Sequence, residues 1–99
     1  MFTLKIQEGK ITKMVVIVMA NDKNYDKWYI QIGLKISYYR KLNKLTQEQL
    51  AEHVGIASKY LSQIETPSAI QPVSLNTLFK IADELKVPPH KFFEFEDRN

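Results

Sequence analysis

Residues 46–65 constrain the fold of this chain more than any other stretch, because they hold the start and stop signals of two short helices. Thr46 is a typical helix N-cap, and Gln49, three residues later, can complete a capping box. Gly55 is expected to end the first helix, since the residue past a helix end often needs a positive φ. Ser58 is expected to cap the second helix. The pattern therefore predicts two helices joined by a tight turn.

The apolar and polar residues of these two helices fall on separate faces. The residues expected to face inward are Leu50, Ala51 and Val54 in the first helix and Leu61 and Ile64 in the second. The residues expected to point outward from the second helix are Ser58, Lys59, Tyr60, Ser62 and Gln63. Most of these are neutral hydrogen-bonding groups, which can bind base edges. Many proteins place a helix in the DNA major groove with this geometry.

The chain around this motif is expected to be mainly helical. Residues 25–42 are predicted to form the first helix, with an apolar face of Trp28, Ile32, Ile36 and Tyr39. Ser74 is expected to cap a fourth helix with an apolar stripe from Leu75 to Leu85. The pair Pro88–Pro89 is expected to begin a short fifth helix. At least one of Phe92, Phe93 and Phe95 exceeds what a small core needs, and exposed aromatic residues here are a candidate dimer contact.

Residues 1–20 have a different character. Phe2, Leu4 and Ile6 alternate with polar residues, and residues 10–18 are rich in Val and Ile, which predicts a β-hairpin. Because an isolated hairpin is marginal in water, it should pack on the helices or pair with another subunit. The alternative is that the natural protein starts at Met14 or Met19 and that the preceding residues are extra. The expected organisation is an extension over residues 1–20 and one domain over residues 21–99.

Composition limits the functions that this chain can have. A length of 99 residues with 44% hydrophobic content is enough for one small core. The chain has no cysteine, and neither His53 nor His90 has a carboxylate at metal-ligand spacing, so we expect no enzyme, metal or cofactor. The longest apolar run, residues 14–20, is far shorter than the roughly 20 residues that span a membrane.

Charge is unevenly distributed along the chain. Residues 1–45 hold nine basic and three acidic residues, whereas residues 46–99 hold five and eight. The basic residues that come just before the motif include Arg40, Lys41 and Lys44, and the two lysines are candidate phosphate contacts. The excess of acidic residues toward the C-terminus would repel DNA from the side of the domain that does not bind it.

The region from about Ile32 to Phe93 resembles the helix-turn-helix family of phage Cro and cI repressors, also called the xenobiotic-response-element family. The matching residues are Arg40, Thr46 to Ala51, Gly55–Ile56, Tyr60 to Glu65, Ser74–Leu75, Leu78 to Leu85, Val87 and Phe92–Phe93. The resemblance implies a five-helix, lambda-repressor-like DNA-binding domain, here with an N-terminal β-hairpin or strand extension.

The resemblance also implies roles for particular residues. The positions that read bases or line the groove edge match Ser58, Lys59, Tyr60 and Gln63. Gln47 matches a position that binds a DNA phosphate and supports the recognition helix, and Thr46 and Ser62 are further phosphate candidates. Arg40 and Glu65 match a structural ion pair. One departure is the loop after Glu65, which lacks the glycine that the family commonly has there. Pro67 and Pro72 are expected to stiffen a longer loop, and its contacts with DNA stay open.

The expected function is sequence-specific binding of double-stranded DNA by a homodimer that regulates transcription, more often as a repressor. The protein is expected in the cytoplasm of a bacterial or phage-type system, with no membrane partner and no small-molecule ligand. The alternative is a protein-interaction or antitoxin-type module, in which the outer face of the second motif helix contacts protein. Salt dependence distinguishes the two, because binding to duplex DNA weakens steeply as salt is raised.

Overall fold

The computed structural model describes residues 25–95, and these residues form a helical bundle with no β-strand among them. The four α-helices are α1 (Asp26–Leu42), α2 (Gln47–Val54), α3 (Ser58–Glu65) and α4 (Leu75–Leu85). Two short 3-10 helices lie at Pro67–Ala69 and Pro89–Phe93. No helix within residues 25–95 is both long enough and apolar enough to cross a membrane. The predicted hairpin lies outside the described residues.

The signals that predicted the start and end of α2 act as expected. The backbone N–H of Gln49 donates to the Thr46 hydroxyl at 3.0 Å, and the Gln49 side chain accepts from the Thr46 N–H at 2.9 Å. Gly55 adopts the left-handed conformation, with φ 78°. Ser74 caps α4 by accepting from the Thr77 N–H at 3.1 Å. The capping box, the glycine turn and the α4 cap are therefore confirmed.

Two predicted helix boundaries differ from the structure. Ala57, and not Ser58, is the N-cap of α3, and no side chain caps that helix. Ser58 is its first helical residue, so the helix begins one residue earlier than expected. The expected fifth α-helix is a 3-10 helix at Pro89–Phe93, consistent with the tighter geometry that such short segments often adopt.

The hydrophobic core lies where the four α-helices and the second 3-10 helix meet. Its fully or nearly buried members are Ile32, Ile36, Leu50, Ala51, Val54, Leu61, Ile64, Leu78, Ile81, Ala82, Leu85 and Phe92. All of the predicted inward-facing residues of α2 and α3 belong to this core. The predicted apolar face of α1 is only partly correct, since Trp28 is 37% exposed. Its ring stacks on Phe95 instead, with the ring centroids 5.1 Å apart.

Gly33 allows α1 and α3 to approach closely. It is buried, and a Cβ atom added to it would overlap the carbonyl oxygen of Ile64 and lie 3.0 Å from that carbonyl's carbon. Helix propensity alone would make Gly33 only a mild weakness in the middle of α1. The structure shows that the missing side chain is a packing requirement, because the backbone of α3 occupies that space.

Candidate nucleic-acid interface

The outer face of α3 presents polar groups to solvent. Successive residues of an α-helix are rotated by about 100°, so Lys59, Ser62 and Gln63 lie away from the buried Leu61 and Ile64, and Ser58 lies at the N-terminal end of the helix. Ser58 and Lys59 are exposed, and Ser62 and Gln63 are partly exposed. Together they offer hydroxyl, ammonium and amide groups on one side of two helical turns. This chemistry suits hydrogen bonding to base edges.

Tyr60 lies at the edge of this outer face and not at its centre, which corrects the expected outward direction. It is partly buried and packs against the hydrophobic core. Its hydroxyl lies 3.5 Å from the carbonyl oxygen of Pro72, at the long limit of a hydrogen bond. The ring therefore lies between α3 and the segment that precedes α4.

The predicted ion pair between Arg40 and Glu65 is present and almost fully buried. Arg40 Nε donates to Glu65 Oε2 at 2.8 Å, and Arg40 Nη2 donates to Glu65 Oε1 at 2.9 Å. The third guanidinium nitrogen donates to the carbonyl oxygen of Leu45 at 2.6 Å. This two-point geometry fixes both position and angle, because the planar guanidinium matches the carboxylate. The last residue of α3 is thereby joined to α1.

Gln47 joins α2 to the same pair. Its side-chain nitrogen Nε2 donates to Glu65 Oε1 at 3.0 Å. Glu65 thus accepts from side chains on both α1 and α2, and every buried side-chain N or O atom among the described residues has a partner. The support that the resemblance implied for Gln47 is a direct hydrogen bond to the end of α3.

The other predicted phosphate contacts lie around the start of α2 and on α3. Lys41 and Lys44 are exposed, and Lys44 has a positive φ of 60° in the connection between α1 and α2. Thr46 is exposed, but its hydroxyl already accepts the capping bond. The side chain of Ser62 is partly exposed, and its carbonyl accepts from the Thr66 hydroxyl at 2.7 Å. No hydrogen bond to the side chain of Lys41, Lys44 or Ser62 limits its orientation within residues 25–95.

The loop between α3 and α4 departs from the expected family pattern and adopts a defined path. Pro67–Ala69 forms a 3-10 helix, and Ile70 follows with φ 49° and ψ 56°. A β-branched residue rarely adopts a positive φ, so this conformation has a local energetic cost. The loop is therefore shaped without the glycine that the family usually has there.

His53 has a partner that sequence reasoning did not identify. Its Nδ1 lies 2.8 Å from Glu84 Oε2, which links the end of α2 to α4 on the surface. The two residues are 31 positions apart, so no local pattern could reveal the pair. Within residues 25–95, no three His, Cys, Asp or Glu side chains are grouped so that they could bind a metal ion.

Comparisons with known proteins agree on this region of the chain. Residues 36–92 match the protein family described as Helix-turn-helix. The chain is 40% identical over 63 residues to an uncharacterized HTH-type transcriptional regulator of Methanocaldococcus jannaschii. The aligned region covers 64% of this chain and 92% of that protein. The chain is 36% identical over 66 residues to the HTH-type transcriptional regulator SinR of Bacillus licheniformis, covering 67% of this chain and 59% of SinR. No solved structure is significantly similar to the chain.

Proposed function

The chain belongs to the Cro/cI-type helix-turn-helix family of DNA-binding transcription regulators, and from this premise we propose that it binds specific duplex sequences by inserting α3 into the major groove. We further propose that it binds as a homodimer and acts as a repressor. Two α3 helices would then contact half-sites about 34 Å apart on a roughly palindromic operator.

The outer face of α3 is the observation that most directly supports this proposal. Gln63 has an amide that can bind adenine at two points, and Lys59 can reach guanine or phosphate. Ser58 and Ser62 are short enough to lie close to the groove floor or wall. We assign base contacts to Ser58, Lys59 and Gln63. Tyr60 remains a candidate for the groove edge, because its ring lies on the flank of the helix.

The buried network beneath α3 supports the same proposal. Base readout requires side chains held in a defined orientation, which a freely rotating helix cannot provide. Arg40 and Gln47 both bind Glu65, so the end of α3 is fixed by hydrogen bonds from two other helices. A buried ion pair often contributes little net stability, and its contribution here is to orientation.

Positive charge near α2 supports contact with the DNA backbone. Lys41 and Lys44 are exposed on the approach to α2, and we assign them to phosphate contacts. Gln47 and Thr46 lie at the N-terminus of α2, where the helix dipole and the free backbone N–H groups favour an anion. Ser62 is the phosphate candidate on α3. Each phosphate contact releases counterions and makes binding more sensitive to salt.

The proposal is tested by selecting bound duplexes from a random pool. We expect an enriched sequence with two related half-sites whose centres are about one helical turn apart. Absence of enrichment, together with little duplex binding even at low salt, would contradict DNA recognition. That result would favour the alternative, in which the outer face of α3 contacts a protein.

Two matched pairs of variants then assign the contacts. Gln63→Ala should change the preferred base at one operator position and cost about 1–3 kcal/mol of binding there, whereas Asn76→Ala, an exposed amide on α4, should not. Lys44→Ala should make the salt dependence less steep by about one phosphate contact, whereas Lys80→Ala should leave it unchanged. Identical preferred sequences for the wild type and Gln63→Ala would refute the assignment of Gln63.

A further inference from the structure

An apolar groove lies between the start of α1 and the start of α4. Its walls include Tyr25, Trp28 and Tyr29 from the α1 side, Leu75 and Leu78 on α4, and Phe93. The groove has a volume of about 280 Å³. None of these residues lies on the outer face of α3, so the groove is separate from the proposed DNA contacts.

The rim of the groove exposes more apolar surface than a folded domain needs to. Leu75 is 59% exposed, Tyr25 is 53% exposed and Phe93 is 43% exposed. Contiguous apolar surface of this kind typically marks an interaction site. No charged side chain is among the described residues that line the groove, so the groove favours an apolar occupant.

The chain itself contains an apolar segment of suitable length and position. Residues 14–20 read Met-Val-Val-Ile-Val-Met-Ala, seven consecutive apolar residues. The four polar residues at 21–24 connect this segment to Tyr25, which is itself in the groove wall. A connection of this length reaches at most about 17 Å, and packed helices lie about 8–10 Å apart. The whole groove is therefore within reach of the segment.

We propose that residues 14–20 dock in this groove of the same chain. A short tether gives the segment an effective concentration in the millimolar range, so it should occupy the groove before a second copy does. A small-molecule ligand is a poorer match, because the described lining residues include no charged side chain and no side-chain amide that could orient it. Docking also covers apolar side chains on both surfaces that would otherwise face water.

Fluorescence of Trp28 tests the proposal, because it is the only tryptophan and lies in the groove wall. In the full chain, the double substitution Val16→Ser with Ile17→Ser should shift the emission maximum to longer wavelength and increase quenching by acrylamide. The matched control, Leu4→Ser with Ile6→Ser, should change neither quantity. Circular dichroism would verify that both variants keep their helices. Unchanged emission and quenching in the Val16/Ile17 variant would overturn the proposal.

Cross-linking distinguishes the possible occupants, because the chain has no cysteine of its own. A full-length variant with Ile17→Cys and Leu75→Cys is treated with a short bis-maleimide. We expect a product of monomer mass in which the two positions are joined, and little such product from a control with Leu4→Cys and Leu75→Cys. A cross-linked dimer would overturn docking within one chain in favour of a second copy, and no cross-link would overturn docking at this site. Neither experiment uses DNA, so both outcomes are independent of the proposed function.

Discussion

Replacing Gly33 with alanine should destabilise the domain, although alanine is the better helix former. The added Cβ atom would overlap the carbonyl oxygen of Ile64, which belongs to the backbone of α3 and cannot rotate away. Restoring an ordinary contact of about 3.3–3.6 Å between these atoms requires α1 and α3 to separate by on the order of 1 Å. Core residues of the two helices, such as Ile36 on α1 and Leu61 on α3, would then lose part of their close packing.

The expected size of the effect follows from two opposing contributions. Glycine to alanine in a helix interior gains about 0.8–1 kcal/mol in the absence of a clash. Inserting a carbon atom into a well-packed contact costs about 1–3 kcal/mol, and more when the neighbour cannot move aside. Because the neighbour of Gly33 is backbone, we expect the clash to prevail, with a net loss of about 1–2 kcal/mol in the free energy of unfolding. That loss corresponds to a decrease of roughly 5–15 °C in Tm for a domain of this size.

Thermal unfolding followed by circular dichroism at 222 nm measures this effect. The control is Leu34→Ala, which introduces alanine at the neighbouring, exposed position of α1 and should change stability by less than about 0.5 kcal/mol. A Gly33→Ala variant with an unchanged or higher Tm would refute the reasoning, because it would mean that the two helices separate without cost. DNA affinity measured well below Tm should also fall, since the displaced helix is α3.

Three further perturbations test the supports of α2, α3 and α4. Arg40→Met should lower the free energy of unfolding by about 3–5 kcal/mol because it leaves the buried Glu65 carboxylate without its main partner, and adding Glu65→Leu should recover much of that loss. Simple additivity of the two single effects in urea unfolding would contradict this coupling. Thr46→Ala should lower the free energy of unfolding by about 1 kcal/mol, because it removes the side-chain cap of α2. Ala57→Ser should raise it by a similar amount, because α3 has no side-chain cap. Urea midpoints that shift in the same direction for both variants would contradict the cap assignment. Lys86→Gly should raise Tm, because Lys86 lies just past the end of α4 with φ 60°. This left-handed conformation costs a non-glycine residue about 1–2 kcal/mol. A lower Tm for the variant in thermal unfolding would refute this reasoning.

Features determined by local chemistry were predictable from the sequence. The capping box at Thr46 and Gln49, the glycine turn and the Ser74 cap each involve residues no more than four positions apart. The inward stripes of α2 and α3 follow from helical periodicity alone. The Arg40–Glu65 pair was predicted only through the resemblance, because its members are 25 positions apart.

Features determined by tertiary contacts were not predictable in the same way. The sequence around Gly33 does not indicate that the Ile64 carbonyl fills the space that a side chain at this position would need. Trp28 has the spacing of a core residue, but it stacks on Phe95 at the margin of the core. Tyr60 has a polar tip that predicts exposure, whereas its ring packs between α3 and the residues before α4. In each case the neighbour that decides the outcome is far away in sequence.

The geometry at Gln47 indicates how contact with the DNA backbone and the orientation of α3 can be linked. Its amide nitrogen has two hydrogens, and one of them donates to Glu65. The amide oxygen cannot bind a phosphate, because both are acceptors, so only the second amide hydrogen or the backbone N–H can do so. A phosphate held by that second hydrogen would fix the same amide group that binds the end of α3. Backbone contact would then restrain the orientation of the helix that we propose reads the bases, while Arg40 binds both oxygens of the same carboxylate.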